Sequence, residues 1–532
     1  MSPSAGERAE PRAAERAGGG LARSAGILGV GNIASRVIGL ARESVISGFF
    51  GASGELAAFR LAARVPTMIY DLLVGGMLSA ALVPVFSEYS RPERRGELAR
   101  VASAVLSLIT IVMGALVLIV EIFAGPLANL LGNFDDPALQ VVLANCLRVI
   151  APAVLLFGLT GGFTGLLFAL RRFSYTALSG AVFNLGIVVL TPFLAARMGI
   201  YVLPLGIVAG SLGQLLITGS GLRDLRVRLT AGWRHPAVRR IGVLYIPIAL
   251  GLIVTQFQII VDGRWASAAG EQSVAWMGYA TTLIQLPLGL VPVAVSLAAL
   301  PSLSQFAAEQ NWDGFREVFG RGFRLVVVLL IPATAGLWVL ASPVIRLLFQ
   351  HGNFTANDTL MTSRALRFYL IGLPFAGVDF LLNYTFYARQ NTRAPATVGV
   401  ISIGFYFVTA LLLKDGPLGF LGLVLADSVK QAAHAVIMTV LLLRSVGRLD
   451  RQHVLRTIGL SAVAAGLMAV ALYLLSEAIG GIAPKSIAGA FLVVAAAGGL
   501  GGALYLLIMR WMRVEEVSRL VDGVVSRFFR RR

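Results

Sequence analysis

Long apolar runs separated by short polar clusters occupy almost the whole chain. Uninterrupted charge-free runs of about 20 residues, the length needed to cross a bilayer as a helix, cover 101–120, 149–170, 173–196, 198–222, 241–261, 325–345, 394–413, 457–476 and 486–509. The stretch 272–308 is also free of charge and holds one long span. Four further runs, 25–50, 61–89, 357–388 and 418–443, are apolar but broken by a few ionisable residues. The pattern predicts an all-α polytopic membrane protein of about fourteen transmembrane helices. The polar clusters between runs alternate in sign. Arg91, Arg94, Arg95 and Arg100 form one basic connection, Arg171 and Arg172 the next, then Arg223, Arg226, Arg228, Arg234, Arg239 and Arg240. The series continues through Arg316, Arg321 and Arg324, then Arg389 and Arg393, then Arg444, Arg448, Arg451 and Arg456. The intervening connections are nearly free of positive charge, as in Gly132-Asn133-Phe134-Asp135-Asp136. Basic loops stay on the cytoplasmic side, so both termini are expected there.

Composition agrees with the pattern. Only 14% of the 532 residues are charged, against 57% hydrophobic. About 25% charge is usual for a wetted globular surface, so a soluble enzyme is excluded. The net charge of +18 is distributed in loops between spans, which argues against a nucleic-acid partner. A single cysteine, Cys146, allows no intrachain disulfide, and four scattered histidines have no metal-ligand spacing. No phosphate-binding loop, zinc-protease helix or nucleophile elbow is present. The runs Gly161-Gly162-Phe163-Thr164-Gly165 and Gly498-Gly499-Leu500-Gly501-Gly502 read as close helix contacts.

The chain also repeats itself. Pro84, Ser87 and Tyr89 fall on Pro301, Ser304 and Phe306 at an offset of 217, and Pro126, Leu130 and Leu131 fall on Pro343, Leu347 and Leu348 at the same offset. Three extra residues then bring Gly132-Asn133-Phe134 onto Gly352-Asn353-Phe354. Both copies run in the same sense, so the repeat is parallel. It predicts two six-helix lobes with a site between them, as alternating access requires. The expected organisation is a disordered cytoplasmic tail over 1–24, an N-lobe over 25–222, a cytoplasmic linker over 223–240 and a C-lobe over 241–445. Two added helices follow over 446–512, then a basic amphipathic tail over 513–532 in which Val514, Val517, Val521, Val524 and Phe528 recur at helical spacing.

Ionisable residues inside spans mark candidate chemistry, because each costs about 2.5–3.5 kcal/mol to insert. Asn32, Arg36 and Glu43 share one face of the first helix, with Gly39 leaving room beside them. Arg42 lies about 120° away around the same helix. Arg64, Thr67 and Asp71 line the second helix around Pro66. Thr255, Gln258 and Asp262 form a stripe on the seventh, followed by Arg264. Two readings stand for the first helix: Arg36 and Glu43 line a hydrated cavity, or they neutralise one another in the bundle; Arg42 likewise lines the cavity, or pairs near Glu43 or with a second-lobe carboxylate. Arg64 and Arg264 are either cavity cations or residues snorkelling to the interface. Arginine suits phosphate because its planar fork donates two parallel hydrogen bonds and keeps its proton. Arg148, Arg364, Arg367, Asp427, Lys430 and His434 read as interhelical ties.

At this point the chain resembles a known family. Ser35-Arg36-Val37-Ile38-Gly39-Leu40-Ala41-Arg42-Glu43 is similar to the first-helix motif of the MurJ (MviN) flippases, as are residues 80–86 and 161–184. In the second half, residues 285–290, 300–304, 347–349, 352–355, 386–388 and 392–395 resemble it more closely still. The resemblance covers about residues 25–510 and implies the multidrug/oligosaccharidyl-lipid/polysaccharide exporter fold. It implies a flippase in the bacterial inner membrane that carries lipid II, a polyprenyl-pyrophosphate-linked peptidoglycan precursor, to the outer leaflet. The polyprenyl tail would lie along the last two helices. Lipid II and membrane lipids are the implied partners, with cell-wall synthesis proteins as candidates, and no cofactor is implied beyond sodium, a proton or the membrane potential as driver. Alternatives are a flippase for another undecaprenyl-linked glycan and a cation-coupled multidrug exporter.

Carried over residue by residue, the family's basic positions match Arg36, Arg42 and Arg64, and Asp262 and Ser428 match candidate sodium ligands. Other charged positions of the family stand here as Ala57, Tyr70, Asp71 and Gly75, and the helix-8 Asp-Arg pair as Thr281-Thr282. The resulting substrate-site set is Asn32, Arg36, Arg42, Glu43, Arg64, Asp262 and Arg264, with Arg264 expected to replace the missing helix-8 cation.

Overall fold

The computed structural model describes residues 9–71, 81–228, 230, 235–447, 449, 453–482 and 486–518. Every regular element among them is a helix, and the chain divides into two units, Met1–Arg264 and Trp265–Arg532. Unit 1 contains α1 (Ala9–Phe50), α2 (Gly54–Tyr70), α3 (Val83–Glu88), α4 (Arg95–Ile122), α5 (Ala124–Leu131), α6 (Pro137–Ile150), α7 (Pro152–Ala169), α8 (Phe173–Met198), α9 (Val202–Ser220) and most of α10 (Pro236–Ala268). Unit 2 contains α11 (Ser273–Ala308), α12 (Trp312–Val339), α13 (Ala341–Phe349), α14 (Ala356–Ala388), α15 (Arg393–Leu413), α16 (Phe420–Val446), α17 (Val454–Ile482) and α18 (Ile487–Trp511).

The duplication read from the residues reappears in the elements. Helices α4 and α12 begin 217 positions apart, at Arg95 and Trp312, and end 217 apart, at Ile122 and Val339. Helices α5 and α13 begin at Ala124 and Ala341, again 217 apart. The copies then diverge in one respect. The stretch 137–169 is broken between α6 and α7, where Pro152 supplies no amide hydrogen and restarts the helix. Its counterpart α14 carries Pro374 internally and stays continuous.

Ten helical stretches among the described residues are long and apolar enough to span a bilayer. Residues 173–220 form one of them, although Gly199 at φ +55° turns the chain between α8 and α9. That left-handed backbone is where glycine ends a helix without a Cβ clash. Helix α2 is not among the ten; its 17 residues carry Glu55, Arg60 and Arg64.

The first helix begins earlier than expected. Helix α1 reaches back to Ala9, so 9–24 is helical where a disordered tail was expected; Ala, Glu and Arg are strong helix formers. At the other end, Val514 and Val517 are buried with Tyr505, Met509 and Ala464. Val521, Val524, Phe528 and the terminal arginines lie outside the described residues.

Glycine sets the closest helix contacts. A Cβ at Gly186 would overlap the carbonyl oxygen of Gly206, and one at Gly210 would overlap that of Phe183. Helices α8 and α9 thus touch backbone to backbone. Gly162 and Gly501, from the two glycine-rich runs, face Leu106 and Leu472 with the missing Cβ only 2.5 and 2.6 Å away, whereas Gly499 and Gly502 face open space. Gly186→Ala is therefore expected to cost at least about 1–3 kcal/mol, because neither backbone can yield. Gly499→Ala should be neutral or stabilising by up to about 1 kcal/mol. Thermal unfolding of the two purified variants separates these outcomes.

The connection after α9 is tied to α4 and to the α7–α8 turn. Arg172 donates to both carboxylate oxygens of Asp224 at 2.6 and 2.7 Å, and Arg95 donates to Oδ2 at 2.9 Å. The amides of Arg228 and Thr230 donate to the Ser103 and Ser107 hydroxyls at 3.0 and 2.8 Å. The hydrogen bond from Arg172 is the largest influence holding the Asp224 carboxyl down to about 2, below its ordinary 3.8. A depressed carboxyl stabilises the fold above its unfolded value and loses that contribution as pH falls towards the folded one. The parent should therefore lose stability between roughly pH 4 and 2 in a way that Asp224→Asn does not. The difference stays small, about 1 kcal/mol or less, because the pair is solvent-screened. Melting temperature against pH for both proteins checks it.

Candidate functional site

The cluster in unit 1 is built on the close approach of α1 and α8. A Cβ at Gly31 would overlap Ala177, one at Gly180 would meet the Ser35 hydroxyl at 2.7 Å, and one at Gly39 would lie 3.6 Å from Asn184 Nδ2. These three small positions bring Asn184 against the polar face of α1. Its amide nitrogen donates to the carbonyls of Ser35 and Gly180 at 3.2 and 3.0 Å, which fixes the amide and points its oxygen at Arg42. Arg42 Nη1 donates to that oxygen at 2.9 Å.

Helices α1 and α2 form a hairpin. Gly51 turns the chain at φ +58°, and Ser53 caps α2 by accepting from the Leu56 amide at 3.2 Å. Residues about equally far from such a turn lie at the same level. Glu43 is seven residues before the end of α1 and Arg60 is six after the start of α2. Arg60 Nη2 donates to Glu43 Oε2 at 2.6 Å, while Arg42 Nη2 donates to Oε1 at 2.7 Å. The Glu43 side chain is only 3% exposed, so one buried carboxylate holds two guanidiniums. The sequence suggests Arg36 or Arg42 beside Glu43; the structure sets Arg42 and Arg60 on its two carboxylate oxygens. Helical rotation alone cannot reveal a partner supplied by the next helix.

One turn further along α2, Arg64 Nη1 donates to the Ile259 carbonyl of α10 at 2.7 Å. Its Nη2 stands 3.7 Å from Asp262 Oδ2. Gly263 makes this possible, since a Cβ there would overlap Arg64 Nη1. Asn32 and Thr67 are exposed, and Arg36 is half-buried. The Thr67 hydroxyl donates to its own helix at Ala63. Asp71 is exposed, and Tyr70 packs its ring 5.1 Å from Phe157. The side chain of Thr255 and all of Gly75 lie outside what is described.

Arg264 is engaged elsewhere in unit 1. Its Nη1 donates to the carbonyls of Asn129 and Gly132, and its Nη2 to Asn133 Oδ1 at 3.2 Å. Both terminal nitrogens thus donate to the turn after α5 in this structure. Thr281 and Thr282 both donate to the Gly278 carbonyl of their own helix.

Unit 2 has its own half-buried polar contacts. His434 Nδ1 on α16 is hydrogen-bonded to Asp379 Oδ1 on α14, and Asn383 donates to Asp379 Oδ2 at 2.9 Å. Lys430 pairs with Asp427 along α16. His434 is therefore the interhelical tie expected of it, whereas Lys430 and Asp427 pair within one helix. Ser428, the other candidate sodium ligand, donates to the Phe368 carbonyl at 2.7 Å. No group of three or more His, Cys, Asp or Glu residues suited to a metal ion occurs among the described residues. A groove of about 700 Å³ runs between α12–α14 and the final pair α17–α18. Its walls include Trp338, Val470, Tyr473 and Val493, with Arg346 and Arg367 at its polar edge.

A duplicated helical bundle with half-buried cations inside its first helices is the architecture of a membrane transporter. The fold is similar to that of an inward-facing multidrug resistance MATE family transporter of the MOP superfamily: 15% identical, covering 78% of this chain and 96% of that one, with a TM-score of 0.65. It is also similar to a solved lipid II flippase MurJ in an inward closed conformation: 24% identical, covering 91% and 98% of the two chains, with a TM-score of 0.77. The probable lipid II flippase MurJ of Haemophilus influenzae is 30% identical over 462 residues, 82% of this chain and 88% of that one. The family model described as lipid II flippase MurJ matches residues 46–487, and the chain belongs to that family. It is a multi-pass membrane transporter and not an enzyme.

Proposed function

We propose that the chain carries lipid II from the inner to the outer leaflet of the bacterial cytoplasmic membrane by alternating access, with both termini in the cytoplasm. The arginines of unit 1 bind the pyrophosphate, and the tail lies in the groove beside α17 and α18. One observation carries the headgroup assignment. Arg42 is fixed through both terminal nitrogens by Asn184 and Glu43, yet its buried Nε has no acceptor among the described residues. A buried donor without a partner costs about 1–3 kcal/mol, which a phosphate oxygen would recover. Arg42 and Arg60 share the single carboxylate of Glu43, and Arg64 stands 3.7 Å from Asp262, so arginines outnumber carboxylates in these pairs. Moving a net negative headgroup outward is favoured by about 2.3 kcal/mol per charge per 100 mV of inside-negative potential, and two phosphate charges need no ATP for that bias. Reconstitution into liposomes containing lipid II on one side tests the reading. Translocation that rises with an inside-negative potential is the expected result; no translocation of lipid II by folded protein overturns it.

A further inference from the structure

A second cavity, about 440 Å³, opens at the arginine-rich end of unit 2, among the first turns of α12 and α17 and the segment after α18. Four arginines (Arg321, Arg324, Arg456 and Arg513) and three glutamates (Glu317, Glu515 and Glu516) line it, together with His453. Two of the arginines have fixed partners: Arg321 pairs with Glu317 and Arg324 with Glu516. The guanidiniums of Arg456 and Arg513 make no hydrogen bond or ion pair with any described residue. Two guanidiniums with no partner among the described residues, on one cavity wall, are suited to an oxyanion.

The surroundings say what carries that oxyanion. Leu455, beside Arg456, is 84% exposed, and Trp511, the last residue of α18, is 82% exposed. Both stand at helix ends, where Trp occupies the level of the lipid headgroups. The cavity is therefore open at headgroup depth and flanked by side chains suited to acyl chains. Its charge sets the class of headgroup. Four arginines against three glutamates leave one net positive charge, which matches a monoanionic phosphodiester. A pyrophosphate, with at least two charges, would be under-compensated and would meet Glu515.

We propose that this cavity binds the headgroup of a monoanionic glycerophospholipid, its phosphodiester held between Arg456 and Arg513, and that the bound lipid ties the start of α17 to the end of α18. Basic pockets between membrane helices hold anionic headgroups in this way. The site is separate from the unit-1 cluster, and its test does not depend on transport.

The full-length protein in detergent is titrated with phosphatidylglycerol, phosphatidylcholine and undecaprenyl pyrophosphate, and bound lipid is counted by native mass spectrometry. Phosphatidylglycerol is expected to bind in preference to phosphatidylcholine. Roughly fivefold per arginine near an anionic headgroup makes the Arg456→Gln/Arg513→Gln double variant bind it about thirty-fold more weakly, with phosphatidylcholine unchanged. If the double variant does not remain folded, Arg513→Gln alone, at an exposed position, carries the test with its fivefold loss. Equal binding of the two phospholipids, or parent-like phosphatidylglycerol binding by the folded variant, overturns the proposal. So does a loss of undecaprenyl pyrophosphate binding as large as that of phosphatidylglycerol, which would make the occupant a lipid-linked pyrophosphate.

Discussion

Arg42→Ala is expected to abolish rescue of a lipid II flippase-depleted strain while the protein still accumulates in the membrane. The two halves of that outcome have separate causes. Losing charge-assisted hydrogen bonds to a phosphate, at about 1.5–3 kcal/mol each, weakens binding roughly tenfold to a hundredfold. Folding is spared because Glu43 keeps its 2.6 Å bond to Arg60 when Arg42 is gone. Membrane insertion is eased, since an arginine within a span opposes it by up to about 2.5–3.5 kcal/mol. Arg42→Lys should fail as well: an ammonium cannot reach Asn184, Glu43 and a phosphate oxygen from one planar fork. Arg36→Ala is expected to behave like Arg42→Ala, which makes the pair a test of the whole α1 face. Growth on depletion, with membrane abundance measured alongside, decides the matter. Full rescue by both alanine variants removes the pyrophosphate role of α1.

The parts of this molecule that were legible in the residues are those governed by periodicity. The 217-residue offset, first visible in Pro84 and Pro301, fixed the correspondence of α4 with α12 that the structure displays at Arg95 and Trp312. The polar face of α1 and the space beside Gly39 were legible for the same reason, because 3.6-residue spacing sorts side chains onto faces before any partner is known. Partner choice was not legible. Asn184 entered the sequence reading only as the end of a motif, yet it orients Arg42. Arg60 was missed because it precedes the apolar run of its helix. Its signal was present: it shares a face with Arg64 four residues on, and it sits opposite Glu43 across a short turn. Asp379 was missed because no other ionisable residue lies within a turn of it on α14, which leaves no periodic signature, and only the fold supplies His434. Arg264 shows a different limit. Its position beyond Asp262 suggests a substrate contact, and in this structure it also donates to the carbonyls of the turn after α5. Backbone acceptors carry no sequence signal at all.

Glu43→Gln should be among the most damaging single changes in unit 1, although it alters only one atom. The carboxylate is the shared counter-charge of Arg42 and Arg60, which are 26% and 16% exposed. Removing one member of a buried ion pair costs about 3–5 kcal/mol, most of it from the charge left without a partner. Here two guanidiniums would be left. Arg60→Gln alone should cost much less, because Glu43 keeps Arg42 at 2.7 Å. The Glu43→Gln/Arg60→Gln double variant should regain part of the loss, giving a coupling energy of about 0.5–3 kcal/mol in a double-mutant cycle of thermal unfolding. Additive losses would mean that Glu43 does not hold the two helices through these bonds. The same variant also reports on the binding role of the cluster. With its internal anion gone, the Arg42–Arg60 pair lacks a counter-charge that a pyrophosphate can supply. Inorganic pyrophosphate should therefore raise the melting temperature of Glu43→Gln more than that of the parent, by mass action on the folded state. An equal shift in both proteins, or none in either, would show that anions do not reach these arginines, and the pyrophosphate would have to be held elsewhere in the chain.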